Sequence, residues 1–259
     1  MDTHKAAAFC AIVLGLMFIY GIGIANASYT VTNLNTTVTL NTNTSASVTE
    51  LLTVAVSNTS LNSYETDRIA LNLTLSTWQS LIGPYLVQHI INPKSGVYNF
   101  KFLPGPLIKS YNSGTAYLLM SYSVKNVTDV KQISPRVFEY SFNDSVFNFE
   151  HVASGEALPQ NTTLNILLPN GALLTSIYPL PDAPTKGISS GYPNVTKFSW
   201  FEGEPLSKFT LAFKITETLQ QEVTDFFTGV YSALGIFSYV LIGVVILAFI
   251  VYAYLRASR

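Results

Sequence analysis

Cysteine is nearly absent. Cys10 is the only one in 259 residues, and it lies inside the apolar N-terminal segment. That excludes a disulfide framework, a thiol nucleophile and a cysteine-ligated metal from the rest of the chain. Histidine is almost as scarce, at His4, His89 and His151. Two histidines beyond the leader, with no cysteine beside them, make no zinc-ligand set unless carboxylates join. Charged residues are only 11% of the chain, the net charge is −1, and the lysines are scattered singly. No basic stripe of the kind that binds nucleic acid is present, so nucleic acid is excluded as a partner. Asn, Ser and Thr carry most of the polarity instead.

The two ends are apolar. Met1–Lys5 is short and polar, Ala6–Tyr20 is almost wholly apolar, and Ala25-Asn26-Ala27 gives a small-x-small exit. This order reads as a signal peptide over residues 1–27, cut after Ala27; a retained first helix is the rival reading, because Ala6–Ile24 just reaches spanning length. At the other end Ala233–Leu255 carries no charge. At a rise of about 1.5 Å per residue it reaches about 34 Å, against a hydrocarbon core of about 30 Å. Tyr231, Tyr239, Tyr252 and Tyr254 sit towards its ends, and Arg256 and Arg259 follow. Interfacial tyrosines and trailing positive charge place the C-terminus on the cytoplasmic side and the body outside. The terminal Leu-Arg-Ala-Ser-Arg does not fit a lipid-exchange signal, which ends apolar. The expected organisation is residues 28–216 as a β-rich extracytoplasmic domain (one unit or two subdomains), 217–231 as a membrane-proximal helix, 232–255 as a transmembrane helix and 256–259 as a cytoplasmic tail. The membrane-proximal segment places Leu219, Val223, Phe226, Phe227 and Val230 on one helical face. Gly229 and Ala233 form a small-xxx-small pair there, a candidate for helix packing against a partner helix or a second copy.

Period-two alternation recurs in between and predicts strands. One set is Val48, Leu52, Val54 and Val56; others are Ile69, Leu71, Leu73 and Leu75, then Phe138, Tyr140 and Phe142, then Leu164, Ile166 and Leu168. Phe198 with Trp200 and the run Phe209, Leu211, Phe213 and Ile215 follow, and further strands are expected over Thr30–Leu40, Val97–Leu103 and Ala116–Val124. Turn residues separate them, as in Asn92-Pro93-Lys94-Ser95-Gly96. Trp78, Leu81, Ile82, Tyr85, Leu86 and Ile90 lie at helical spacing, which predicts one short or kinked helix over Thr77–Ile91, interrupted at Gly83-Pro84. Phe102–Tyr111 and Leu167–Tyr178 both read as strand, proline turn, strand, ordinary hairpin chemistry met twice. The fold class is therefore mainly β, a β-sandwich-like ectodomain with one short helix, plus a C-terminal transmembrane α-helix.

Catalytic patterns are thin. Gly187-Ile188-Ser189-Ser190-Gly191 matches the nucleophile-elbow spacing, but prolines flank it and no histidine follows Ser189. Glu202-Gly203-Glu204 and Glu65-Thr66-Asp67 are the nearest carboxylate pairs, and both sit beside turn signals, where solvated turns account for them. No calcium or phosphate loop occurs, and no cofactor is implied. Asn-x-Ser/Thr sequons are dense instead. Besides Asn26 in the leader, glycosylation candidates are Asn35, Asn43, Asn58, Asn72, Asn126, Asn143, Asn161 and Asn194. Many sequons and no mature cysteine in a secreted chain point to a prokaryotic, archaeal-type cell surface.

The segments Tyr29-Thr30-Val31-Thr32 to Ser47-Val48-Thr49-Glu50, Leu168-Pro169-Asn170-Gly171 and Phe198-Ser199-Trp200-Phe201-Glu202-Gly203 resemble archaeal predicted single-pass membrane proteins of unknown function with β-rich ectodomains. More distantly, the architecture of leader, β domains and one anchor resembles ribophorin I, a non-catalytic subunit of oligosaccharyltransferase. The resemblance implies a non-enzymatic, membrane-anchored glycoprotein with a binding, adhesion or envelope-structural role. The alternatives are an accessory subunit of a larger membrane complex and a hydrolase with a dispersed site. Expected partners are the lipid bilayer, other envelope or membrane proteins, and a second copy of the chain.

Overall fold

A computed structural model describes residues 29–70, 74–92, 94, 96–153, 155–184, 195–235 and 237–257. Two long strands open the fold, β1 (Tyr29–Leu40) and β2 (Ala46–Ser57), followed by helices α1 (Leu61–Ile69) and α2 (Leu75–Ile82). Then come β3 (Val97–Pro104), β4 (Ile108–Lys109), β5 (Ser113–Val124), β6 (Thr128–Ser134) and β7 (Val137–Phe142). The short β8 (Glu150–Val152) and β9 (Gly155–Ala157) form a two-stranded ribbon. The body closes with β10 (Thr162–Leu167), β11 (Leu173–Tyr178), β12 (Lys197–Trp200) and β13 (Thr210–Thr216). Helices α3 (Leu219–Leu234) and α4 (Phe237–Ala257) follow.

The larger sheet has seven strands in the order β12-β10-β1-β2-β5-β3, with β4 also pairing β5; the smaller has four, in the order β11-β13-β7-β6. All pairs are antiparallel except β1 with β10, which run parallel from Leu34↔Thr162 to Thr39↔Leu167. Alternation sets one face inward. In β2 that face is Ala46, Val48, Glu50, Leu52, Val54 and Val56, and in β5 it is Ala116, Leu118, Met120, Tyr122 and Val124.

This single face meets two different covers. At one end the four-stranded sheet packs on it, so Val38, Val48, Tyr122, Ile166 and Trp200 share a core with Tyr140, Leu174, Leu211 and Phe213. At the other end α1 and α2 take over, and Leu34, Leu52, Val54, Leu118 and Met120 pack with Tyr64, Trp78 and Ile82. Edge-on aromatic contacts knit that second core: the Tyr29 and Tyr64 rings lie 5.5 Å apart, Tyr64 and Trp78 5.8 Å, and Trp78 and Phe102 5.8 Å. Burial and the neighbouring Glu65 charge push the Tyr64 phenol up to about 12, so it stays a neutral donor, and it donates to the Gly105 carbonyl at 2.8 Å.

The sandwich-like reading holds for half of the large sheet only; the other half is sheet on helix. Among its described residues the body has two short α-helices rather than one. The alternation Ile69–Leu75, read above as a strand, spans the end of α1 and the start of α2, and residues 71–73 lie outside the described residues. Thr74 caps α2 by accepting the Thr77 N–H, a local competitor to strand structure. The helix expected over Thr77–Ile91 stops at Ile82. Gly83 takes φ 97, and Pro84 has no N–H to continue it. Neither proline turn closes a hairpin: β3 and β4 both pair β5, and the second turn carries the chain from β10 in one sheet to β11 in the other.

At the C-terminal end, Gly235 (φ 55) breaks the long apolar stretch into α3 and α4. Gly229 and Ala233 therefore both fall on α3, on the body's side of the break. Arg136, in the β6–β7 turn, clasps the start of α3: its guanidinium donates to the Glu217 carbonyl at 3.0 and 2.6 Å and lies 3.6 Å from the Glu222 carboxylate. Among the described residues no helix is long and apolar enough to cross a membrane. Taken over its whole sequence, α4 is 21 residues long with Arg256 as its only charge.

Replacing Trp78 with Ala is expected to lower stability by about 3–5 kcal/mol, the usual loss for a buried tryptophan. Urea denaturation checks this, with Tyr111→Ala, at a site 95% exposed, as the control that leaves the midpoint in place.

Candidate functional site

Between the two cores the inner face of β2 carries one charge. Glu50 follows Val48 of the first core and precedes Leu52 of the second, and it is fully buried. A carboxylate taken out of water needs its lone pairs occupied by donors. Three reach it. The His89 backbone N–H donates to Oε1 at 2.8 Å, the Tyr122 hydroxyl donates to the same oxygen, and the His89 ring nitrogen Nδ1 lies 2.7 Å from Oε2. The Tyr122 oxygen in turn accepts the Ile90 N–H at 3.1 Å. Burial first, then the Glu50 charge and hydrogen bond, push the Tyr122 phenol far above its ordinary value. It acts as a neutral donor.

The segment between α2 and β3 is thus fastened across the seam between the cores. Leu86 drops into the core beneath the helices and Ile90 into the core beneath the small sheet. Residues 146–148 run alongside: Ile91 N–H donates to the Val146 carbonyl at 2.6 Å, and Asn148 N–H to the His89 carbonyl at 2.8 Å. The His89 ring stacks on Phe149 at 5.2 Å with a 28° tilt. Only 4% of His89 is exposed, yet it lines a pocket of 320 Å³ together with Pro84, Tyr85, Val87, Phe149 and Glu150. With Nδ1 turned to Glu50, Nε2 is the ring atom left for a ligand, and no hydrogen bond to it occurs among the described residues. The arrangement can orient an imidazole as a fixed hydrogen-bonding group. Among the described residues no serine, threonine or cysteine lines the pocket.

Other sequence candidates are dispersed. His151 is largely exposed, with Nδ1 3.7 Å from Glu156 Oε1. Burial pushes the Glu156 carboxyl up and Asp144 adds to that, while the Phe149 N–H and His151 pull it down. Among the described residues no group of three metal-ligating side chains occurs. Glu202 accepts the Asn161 N–H at 2.5 Å, Asp67 accepts the Tyr29 hydroxyl at 2.8 Å, and Glu65 accepts the Leu107 N–H at 2.9 Å and pairs with Arg68. These carboxylates fasten turns and helix ends. The Leu107 N–H and Arg68 hold the Glu65 carboxyl below its usual range. The segment Gly187–Gly191 lies outside the described residues.

Of the sequons, Asn35 is exposed on the outer face of β1, and Asn43, Asn126 and Asn161 are exposed in turns. Asn58 is exposed at the start of a 3-10 turn, and Asn143 is half-buried. Asn43 and Asn143 each accept hydrogen bonds from the serine two residues on. Asn72 and Asn194 lie outside the described residues.

Glu50, His89 and Tyr122 went unnoticed in the sequence as a set. The available signal was a glutamate at an inward position of an otherwise apolar alternation. Its histidine partner is 39 residues away and has no spacing rule.

No family profile matches the chain, and no curated protein does. Among solved structures the chain is similar to the folded domain of the Mycobacterium tuberculosis protein LppM. The identity is 9%, over 76% of this chain and 95% of that one, with a TM-score of 0.25. At that score the likeness carries no argument.

Truncating Glu50 to Ala leaves two His89 donors and the Tyr122 hydroxyl without their acceptor, and is expected to destabilise by about 3–5 kcal/mol. Tyr122→Phe removes one donor and orphans the Ile90 N–H, for about 1–3 kcal/mol. Urea midpoints in that order support the network; a Glu50→Ala protein as stable as the parent contradicts it.

Proposed function

We propose that the chain is a non-catalytic, membrane-anchored extracytoplasmic glycoprotein, its β-rich body holding a binding pocket at His89 and α4 serving as the anchor. The observation that carries this reading is the surface of α4. Val244, Val245, Ile246 and Leu247 are consecutive, step around the helix by about 100° each, and are all between 54% and 65% exposed. A helix apolar on every side needs either a protein layer all round or lipid. At about 1.5 Å per residue its 21 residues reach about 31 Å, which matches a hydrocarbon core of about 30 Å. Tyr239, Tyr252 and Tyr254 sit near its ends and Arg256 closes it, the order expected of a helix leaving the membrane on the cytoplasmic side. Exposed sequons on the body fit the extracytoplasmic side.

The test is membrane fractionation of the full chain beside a chain ending at Thr218, which keeps Glu217 for the Arg136 clasp. The full chain is expected to stay in the membrane pellet through an alkaline carbonate wash and to leave it only with detergent, while the shortened chain leaves the pellet. A full chain washed out by carbonate, or a shortened chain that remains, contradicts the anchor.

A further inference from the structure

The His89 pocket does not end at Glu150. A wider open groove of 670 Å³ shares Glu150 and Pro159 with it and runs on to Glu202 and Pro205. Among the described residues neither lining contains a lysine or an arginine. The acidic residues of the described lining are Glu150 and Glu202. Acceptors are prominent among the polar atoms left for a ligand. Asn148 commits one of its two side-chain N–H bonds to the Gln88 carbonyl at 3.0 Å, and its side-chain oxygen is available as an acceptor. The His89 ring, with Nδ1 committed to Glu50, offers Nε2 from an almost fully buried position. A buried imidazole held rigidly from behind, with its other nitrogen lacking a protein partner among the described residues, marks a place where a ligand atom would sit. The walls are apolar and aromatic: Pro84, Val87 and Phe149, with Tyr85 43% exposed at the rim. Aromatic faces attract cations and stack on flat apolar bodies. A phosphate or carboxylate ligand would meet the like charges of Glu150 and Glu202, with no lysine or arginine among the described lining residues to offset them.

We infer that this groove binds an organic ammonium ion, its apolar body against Tyr85, Pro84 and Val87 and its N–H groups accepted by His89 Nε2 and the Glu150 carboxylate. The inference rests on the binding role proposed above and is independent of the anchor. It commits to the sign of the ligand, because one charged amine satisfies both acceptors where a neutral polyol supplies only weaker hydrogen bonds.

The test uses the full chain in detergent micelles and three probes of one shape: benzylammonium, benzyl alcohol and benzoate. Binding is read at the His89 ring by heteronuclear NMR, which reports the site rather than partition into the micelle. Benzylammonium is expected to saturate the His89 signal at about tenfold lower concentration than benzyl alcohol, with benzoate weakest. Glu150→Gln is expected to erase most of that preference while leaving benzyl alcohol unchanged. Tyr85→Ala, at a half-exposed rim position outside the Glu50 network, is expected to weaken both. Equal affinity for ammonium and alcohol, or tighter benzoate, overturns the ligand class and leaves the binding role standing. No saturable shift with any of the three overturns both.

Discussion

A carboxylate inside a protein must be surrounded by donors before the fold around it is stable, and that constraint organises this molecule. Glu50 sits in the middle of the inner face of the large sheet, where its neighbours on β2 belong to different cores. It cannot be left bare, so the chain after α2 is drawn across the sheet to supply the His89 N–H and ring, while Tyr122 rises from the adjacent strand β5. One acidic side chain thereby fixes the path of residues 83–92, sits between the helix-covered core and the sheet-covered core, and holds His89 where it lines the surface pocket. Breaking such a pair from one side costs far more than never having built it, which is why the node acts as a constraint rather than as a surplus of stability.

The rest of the architecture runs outward from that seam. The four-stranded sheet covers one half of the large sheet, and its second strand in spatial order, β13, continues through Glu217 into α3 and then α4. Arg136 holds the exit by gripping the Glu217 carbonyl and standing beside Glu222. The proposed anchor is thus tied to the same sheet that packs over Ile90 and Phe149, while the groove opens on the side carrying the β8–β9 ribbon. Acceptors and aromatic faces surround the fixed imidazole there.

Much of the strand pattern was legible in advance. Alternation located β1, β2, β3, β5, β7, β10, β12 and β13; most have one face in a core and one in contact with solvent, while Asn165 and Ser199 are buried on the other face of β10 and β12. The signal failed where apolar residues alternate by accident. Ile69 and Leu75 keep a period of two across the join between α1 and α2, and α1 is itself a weakly amphipathic helix with a single buried residue, Tyr64. It is held by tertiary contacts to Tyr29, Trp78 and the Gly105 carbonyl, which no local window contains. The parallel pairing of β1 with β10 joins residues about 130 positions apart and has no sequence mark. The site was partly visible: His89 was noticed as one of few histidines, and Val48-Thr49-Glu50 as a distinctive strand. What joins them is the inward parity of Glu50, an exception to an apolar pattern that is informative only once the pattern is trusted.

Native-state hydrogen exchange at His89 and Ile90 tests the central claim most directly. Both residues lie outside named helices and strands, but their N–H groups donate to Glu50 and to the Tyr122 oxygen. If the buried carboxylate fastens this segment, both amides exchange as slowly as those of Leu52 and Leu118 in the sheet, through the same global opening. Exchange at the rate of the exposed β1–β2 turn around Asn43 would show that the segment opens locally, and that Glu50 does not hold the two cores together.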